Sequence, residues 1–250
     1  FLHSQREHPD RESKTQYMMA KMQHAGRLFG VVEETAELVE TLYLEFLDAL
    51  NQHFSEYPYL LGWKPSIGDF GLIAPLYAHL GRDPAPLRIM QQRAVCVTRW
   101  VERMNRADQD VPEFFNPGNN YLEDDRIPET LLTVLRVLAE DLVPETHAAA
   151  EVINQWLAEN QPEPGTSAQG SLANRMFGMA KFSLRGQSIS AVAQSYRFVI
   201  LQKLHQQYAQ LEPAQQQDVT NLLQRCGLET LLTTRLDRQL GWSENQDIWL

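Results

Sequence analysis

Cysteine is scarce. The 250-residue chain has two, Cys96 and Cys226, and no Cys-x-x-Cys. That argues against a disulfide scaffold and points to a reducing compartment, the cytoplasm. No stretch approaches the roughly 18 apolar residues of a spanning helix, and no signal peptide is visible, so no membrane partner is expected. Basic clusters are missing as well. The formal net charge is −10 and the isoelectric point about 5.2, which argues against nucleic acid or an anionic membrane surface as the main partner.

Self-contained catalytic motifs are absent too. None of the seven histidines follows a glutamate by three positions, so the Glu-x-x-His pairs of a di-iron bundle are missing. His-Glu-x-x-His, Gly-x-Ser-x-Gly and the Gly-x-x-x-x-Gly-Lys phosphate loop do not occur. No metal is expected. Cys96 sits between Val95 and Val97 and reads as a small core residue. Cys226 precedes a helix-ending glycine, the wrong end of the dipole for a lowered thiol pKa.

Helical periodicity fills most of the chain. A helix fits Arg11 to about Ala25, with Tyr17, Met18 and Met22 toward one side. Glu33 to His53 carries Leu38, Leu42, Phe46 and Leu50 every four residues, with glutamates in its first turns. Further helices are expected over Ala85–Arg106, Pro128–Val143, Pro144–Asn160, Ser190–Leu211, Pro213 to just before Gly227, and Leu228–Leu240. Gln161–Gly170 has the composition of a linker, and Met176–Ile189 that of a short hairpin. The tail Gly241–Leu250 has two tryptophans that would dock on the body. The expected architecture is all-α: a bundle around one capped central helix, with a helical extension containing a short hairpin.

That central helix opens at Pro65-Ser66-Ile67-Gly68-Asp69-Phe70. Ser66 is a natural N-cap, and the Asp69 carboxylate can reach back to the Ser66 N–H, making a capping box. Pro65 and Phe70 would form the accompanying staple. From Phe70 to Leu80 the helix is apolar on nearly all sides, so it is expected to be buried all round, with its cap satisfied internally. On this basis Asp69→Ala costs about 1–2 kcal/mol.

The stretch Tyr59-Leu60-Leu61-Gly62-Trp63-Lys64-Pro65-Ser66-Ile67-Gly68-Asp69-Phe70 resembles the central segment of the C-terminal helical domain of glutathione transferases. Ser66 and Asp69 fall on that family's capping box, a folding feature with no catalytic role. The resemblance covers about Val31 to Arg106. It implies a transferase-like helical domain over residues 1–107, a helical extension over 108–250 packed on it, and a glutathione-binding, thioredoxin-like domain upstream, of which this chain would lack all. No catalytic residue is carried over. The implied role is to present an apolar wall to a small apolar electrophile, with His3, Arg6, Tyr17, Met18, Met22 and Tyr77 as candidates and homodimer formation as the family's habit. The competing expectation is a non-catalytic transferase-like binding or scaffold module for a protein partner.

Overall fold

The computed structural model describes residues 10–106, 111–170 and 176–250. The sequence also reads as the end of a helix over Phe1–Glu7, residues that lie outside these ranges. The chain divides into two compact units, each with its own core. One comprises residues 40–140 and 221–228, and the other 1–39, 141–220 and 229–250.

The all-α expectation is corrected here. The described residues are mostly helical but carry two separate two-stranded antiparallel sheets. In chain order the elements are α1 (Arg11–Leu28), α2 (Ala36–Glu56), α3 (Ile67–Pro75), α4 (Pro84–Arg93), α5 (Val95–Met104), α6 (Glu129–Asn160), β1 (Gly178–Leu184), β2 (Gln187–Ala193), α7 (Tyr196–Ala209), α8 (Pro213–Cys226), β3 (Leu240–Ser243) and β4 (Gln246–Trp249).

The bundle unit is built from α2 to α5 and the start of α6. Its core holds Leu47, Leu50 and Phe54 of α2, Val97 and Trp100 of α5, and Leu131 and Val134 of α6. The Phe54 and Trp100 rings stack with centroids 4.9 Å apart. The expected single helix over Ala85–Arg106 is two. Ala94 leaves the helical region (φ −130°, ψ 63°). The N–H of Cys96, left free at the new helix start, donates to Asn51 Oδ1 of α2 at 2.8 Å. A side chain distant in sequence thus supplies the cap, which periodicity cannot show.

The opposite miss occurs at Pro144. It lies inside one 32-residue helix, α6. Residues on both sides are buried, Leu131, Leu132 and Val134 before it and Ala149, Ile153 and Leu157 after it. Their burial outweighs the roughly 3 kcal/mol that an interior proline costs.

α3 is also shorter than expected. Beyond Pro75 the chain continues as a π turn, Leu76–Leu80. Proline has no N–H for the regular ladder, and the wider turn takes over where that bond is missing.

The second unit pairs β1 with β2, Gly178 opposite Ala193 and Leu184 opposite Gln187. The two residues between them, Arg185 and Gly186, both have positive φ (48° and 82°). That is the conformation a two-residue hairpin turn needs, and Gly186 adopts it without strain. This hairpin matches the expected place, displaced a few residues onward.

The second hairpin was not expected. β3 and β4 join through Glu244 and Asn245, again both at positive φ. The expected last helix, Leu228–Leu240, shrinks to a 3-10 turn over Glu229–Leu232. The Thr233 and Thr234 hydroxyls donate to the Thr230 carbonyl and end it. Asn154 of α6 then grips the following chain, accepting from Asp237 N–H at 2.9 Å and donating to Arg235 O at 3.1 Å.

The linker-like stretch is no free linker. Gly165 N–H donates to Trp249 O and Ala168 N–H to Asp247 O, both at 2.7 Å, while Trp249 N–H donates to Thr166 O at 3.0 Å. Residues 165–168 therefore lie as a short extra rung along β4.

Candidate functional site

The capping box forms, and it is more than a local device. Asp69 is fully buried. Its Oδ2 accepts from Ser66 N–H at 2.8 Å and from the Ser66 hydroxyl at 2.7 Å. Its Oδ1 accepts from Leu60 N–H at 3.1 Å and from Trp100 Nε1–H at 3.0 Å. One carboxylate thus joins the start of α3, the incoming connector and α5.

The connector is held from its other side too. Gly62 has φ 116°, and a side chain there would meet Leu122 N at 2.9 Å. Leu122 N–H donates to Leu61 O, and Trp63 N–H to Asn120 O, each at 3.0 Å. Arg103, almost fully buried on α5, donates to Pro58 O at 2.8 Å and forms an ion pair with Glu113. Gly62→Ala combines a disfavoured φ with a backbone collision. It is expected to lower bundle stability by about 1–3 kcal/mol, read as a shift in urea midpoint at unchanged slope.

The helix above this buried cap is not buried all round, contrary to expectation. Ile67 is 92 % exposed, Phe70 62 % and Tyr77 41 %. Phe70 therefore faces solvent instead of serving as a buried staple. Gly71, Ala74 and Ala78 are exposed as well, and together these residues follow helical spacing along one side. The apolar composition of α3 reflects two faces with different neighbours. Asp69 and Leu76 face the core, while the other face meets solvent.

The candidate substrate-wall residues fall as follows. His3 and Arg6 lie outside the described residues. Tyr17, Met18 and Met22 are exposed on α1, a helix that buries none of its side chains. Tyr77 stands in the π turn after α3, with the Arg82 guanidinium 5.6 Å from its ring centroid. α1 belongs to one unit and Tyr77 to the other.

Grooves among the described residues are lined by other side chains. In the bundle unit a groove of about 270 Å³ is lined by Leu61, Ile67, Tyr121, Leu122, Arg126 and Ile127, among others. In the second unit a groove of about 460 Å³ runs between α7 and residues 234–240. Its polar groups are mostly engaged. Gln202 donates to Leu240 O and accepts from Leu240 N–H, at 2.9 and 3.0 Å. His205 Nε2 lies 2.7 Å from Leu231 O. The Ser66 hydroxyl, which lines the bundle-unit groove, is engaged with the buried Asp69 carboxylate as part of the helix cap. Among the described residues no group of three His, Cys, Asp or Glu side chains is placed to hold a metal ion, and no helix is long and apolar enough to cross a membrane.

Three ionisable groups outside the capping box are shifted by their surroundings. Burial pushes the Cys226 thiol up, only partly offset by Arg136 and Arg225, so it is a poor nucleophile. Burial also raises Asp141, with the neighbouring Glu145 adding to it and Arg197 opposing. Asp247 of β4 is raised by burial, against a hydrogen bond from the Ser195 hydroxyl at 3.4 Å. Its Oδ1 has no hydrogen-bond partner.

A carboxyl raised on folding favours the native state below its unfolded value, near 3.8. That contribution is lost as pH rises through the folded value. Asp247→Asn, which cannot ionise, is therefore expected to melt higher than the native protein at pH 7. The advantage should disappear near pH 4, and thermal melts across that range check it.

Sequence reasoning located Ser66 and Asp69 but missed the Asp69 partners Leu60 and Trp100, and Arg103, which holds Pro58 O. Their spacings of 9, 31 and 45 residues from the groups they bond leave no local signal. Compared with known proteins, the chain matches no family model, no curated protein and no solved structure.

Proposed function

We propose that the chain acts as the acceptor-substrate domain of a glutathione transferase-like protein, presenting apolar helix surface to an electrophile attacked by the glutathione thiolate. The observation that carries this reading is the exposed apolar set Tyr17, Met18 and Met22 on α1, while the box-capped helix at Ser66 and Asp69 carries the resemblance. In this reading glutathione is held mainly by a thioredoxin-like domain outside the chain. That domain lowers the thiol pKa, because the thiolate is the nucleophile. The helices described here contribute adaptable methionine and tyrosine surface, and the protein works in the cytoplasm as a homodimer.

The test uses the full-length protein. It should be retained on immobilised glutathione and conjugate a general apolar electrophile. The double variant Tyr17→Ala with Met22→Ala should raise KM for the electrophile about tenfold, as expected for about 1–2 kcal/mol of lost apolar contact. The KM for glutathione should hold. Full-length protein that neither binds glutathione nor conjugates the electrophile removes this reading.

A second reading is favoured by one observation, the solvent-facing side of α3 with Ile67, Phe70 and Tyr77. An apolar helix face of this kind suits a protein partner, and the chain would then be a non-catalytic binding module. Phe70→Asp should abolish capture of such a partner while leaving any conjugation unchanged. Loss of conjugation with capture intact would count against it.

A further inference from the structure

The bundle contains a histidine that neither reading of function uses. His53, near the end of α2, is fully buried. Its ring stacks on Tyr57 with centroids 5.5 Å apart and meets Phe54 edge-on at 5.4 Å. Nδ1 lies 2.9 Å from the Thr130 hydroxyl at the start of α6. Nε2 is buried with no hydrogen-bond partner, and the connector backbone at Tyr59 and Leu60 acts on the ring. The ring is therefore the joint between α2, α6 and the connector that delivers the chain to Asp69.

We propose that His53 is an acid-sensitive lock: protonation of its ring loosens the junction of α2, the 57–62 connector and the start of α6, while the ring holds that junction closed at neutral pH. A neutral imidazole is one donor and one acceptor, and the imidazolium is a donor at both nitrogens. If Nδ1 accepts from Thr130, protonation ends that arrangement and the hydroxyl must turn round. If Nδ1 already donates, the new proton is on Nε2, which is buried and has no hydrogen-bond partner.

The surroundings decide the direction. Loss of water on burial lowers the ring's affinity for a proton, and this outweighs the Tyr59 and Leu60 carbonyls and the charge of Asp69. α6 offers the neutral Thr130 hydroxyl. Asp69 of α3 is the carboxylate whose charge acts on the ring, and its oxygens are already bonded to four donors.

The sign follows from linkage. The unfolded chain binds a proton at His53 near the ordinary value of 6.5, and the folded chain does so only at lower pH. Stability contributed by this residue is complete above that value and falls as the solution is acidified below it. Within the window the folded-to-unfolded ratio drops up to tenfold per pH unit.

Two measurements on the intact protein test the lock. In the native protein, the His53 ring resonances followed by NMR should titrate below 6.5, and the Leu50, Phe54 and Leu131 side-chain signals should broaden or shift with the same midpoint. Separately, His53→Gln keeps a side-chain amide but cannot take a charge. Its melting temperature should fall less than that of the native protein between pH 7.5 and pH 5. A ring that titrates at or above 6.5, or that titrates with no change in its neighbours, overturns the proposal. So does a folded His53→Gln protein with undiminished acid sensitivity. Should that variant fail to fold, the titration of the native protein decides alone.

Discussion

Replacing Asp69 by alanine is expected to lower the stability of the bundle unit by about 3–5 kcal/mol, well above what loss of a single helix cap costs. The larger figure follows from the number of donors left behind. Ser66 N–H, Leu60 N–H and Trp100 Nε1–H all end on this carboxylate, as does the Ser66 hydroxyl. The residue is fully buried, so water cannot replace the lost oxygens. Each orphaned donor costs about 1–3 kcal/mol, and the hydroxyl can turn to find another partner. Asp69→Asn keeps one acceptor oxygen and the shape of the side chain, and should lose about half as much. Urea denaturation at constant slope gives both values. A loss below about 1 kcal/mol for the alanine variant would mean that these N–H groups reach water or new partners.

The second large effect is expected at the other core. Trp249→Ala should destabilise the second unit by about 3–5 kcal/mol. The indole is fully buried. It lies 5.8 Å from the Phe177 ring and stacks at 6.3 Å on Trp156. Its backbone also links residues 165–166 to β4, so a cavity here opens beside a short ladder with little else to hold it. Trp249→Phe should cost only about 1–2 kcal/mol, because the indole N–H it removes has no hydrogen-bond partner. Trp242, 61 % exposed on the neighbouring strand, provides the control. Its alanine variant should stay within about 0.5 kcal/mol of the native protein. Hydrogen exchange of the β4 amides separates the cases, since loss of the core at Trp249 should unprotect them and loss of Trp242 should not.

These two residues also show what the sequence could reveal. Asp69 was legible because a capping box is written within four consecutive positions and its partner is the residue that starts the helix. The stripes of α2 and the α6 leucines were legible for a similar reason, since their spacing repeats every turn. The burial of α3 was misjudged. An apolar composition cannot say how many sides of a helix find neighbours, and the face bearing Ile67 and Phe70 is mostly exposed among the described residues. The β3–β4 hairpin was missed because each strand has only four residues, and its turn, Glu244-Asn245, lacks the glycine that marked the first hairpin at Gly186. The linker reading of 161–170 failed because its proline and glycine content describes local backbone freedom. What fixes it is pairing with residues some 80 positions later. Of the candidate site, α1 was legible as a methionine- and tyrosine-bearing helix, whereas the grooves arise from chain segments brought together only by folding.

The pairing of residues 165–168 with β4 also bears on the order of events during synthesis. Ser167 bridges Ile248, and the sequence between them must leave the ribosome before that ladder can close. At about 5–20 residues per second this interval is roughly 4–16 s. Through it β1, β2 and α7 emerge with the Trp156 and Phe177 rings still lacking Trp249. The bundle unit draws nearly all of its core from residues 47–134 and can collapse far earlier. The second unit thus has the longer exposure to chaperones and to aggregation, and the sequence around Trp156 and Phe177 is where a nascent-chain binder would find apolar surface.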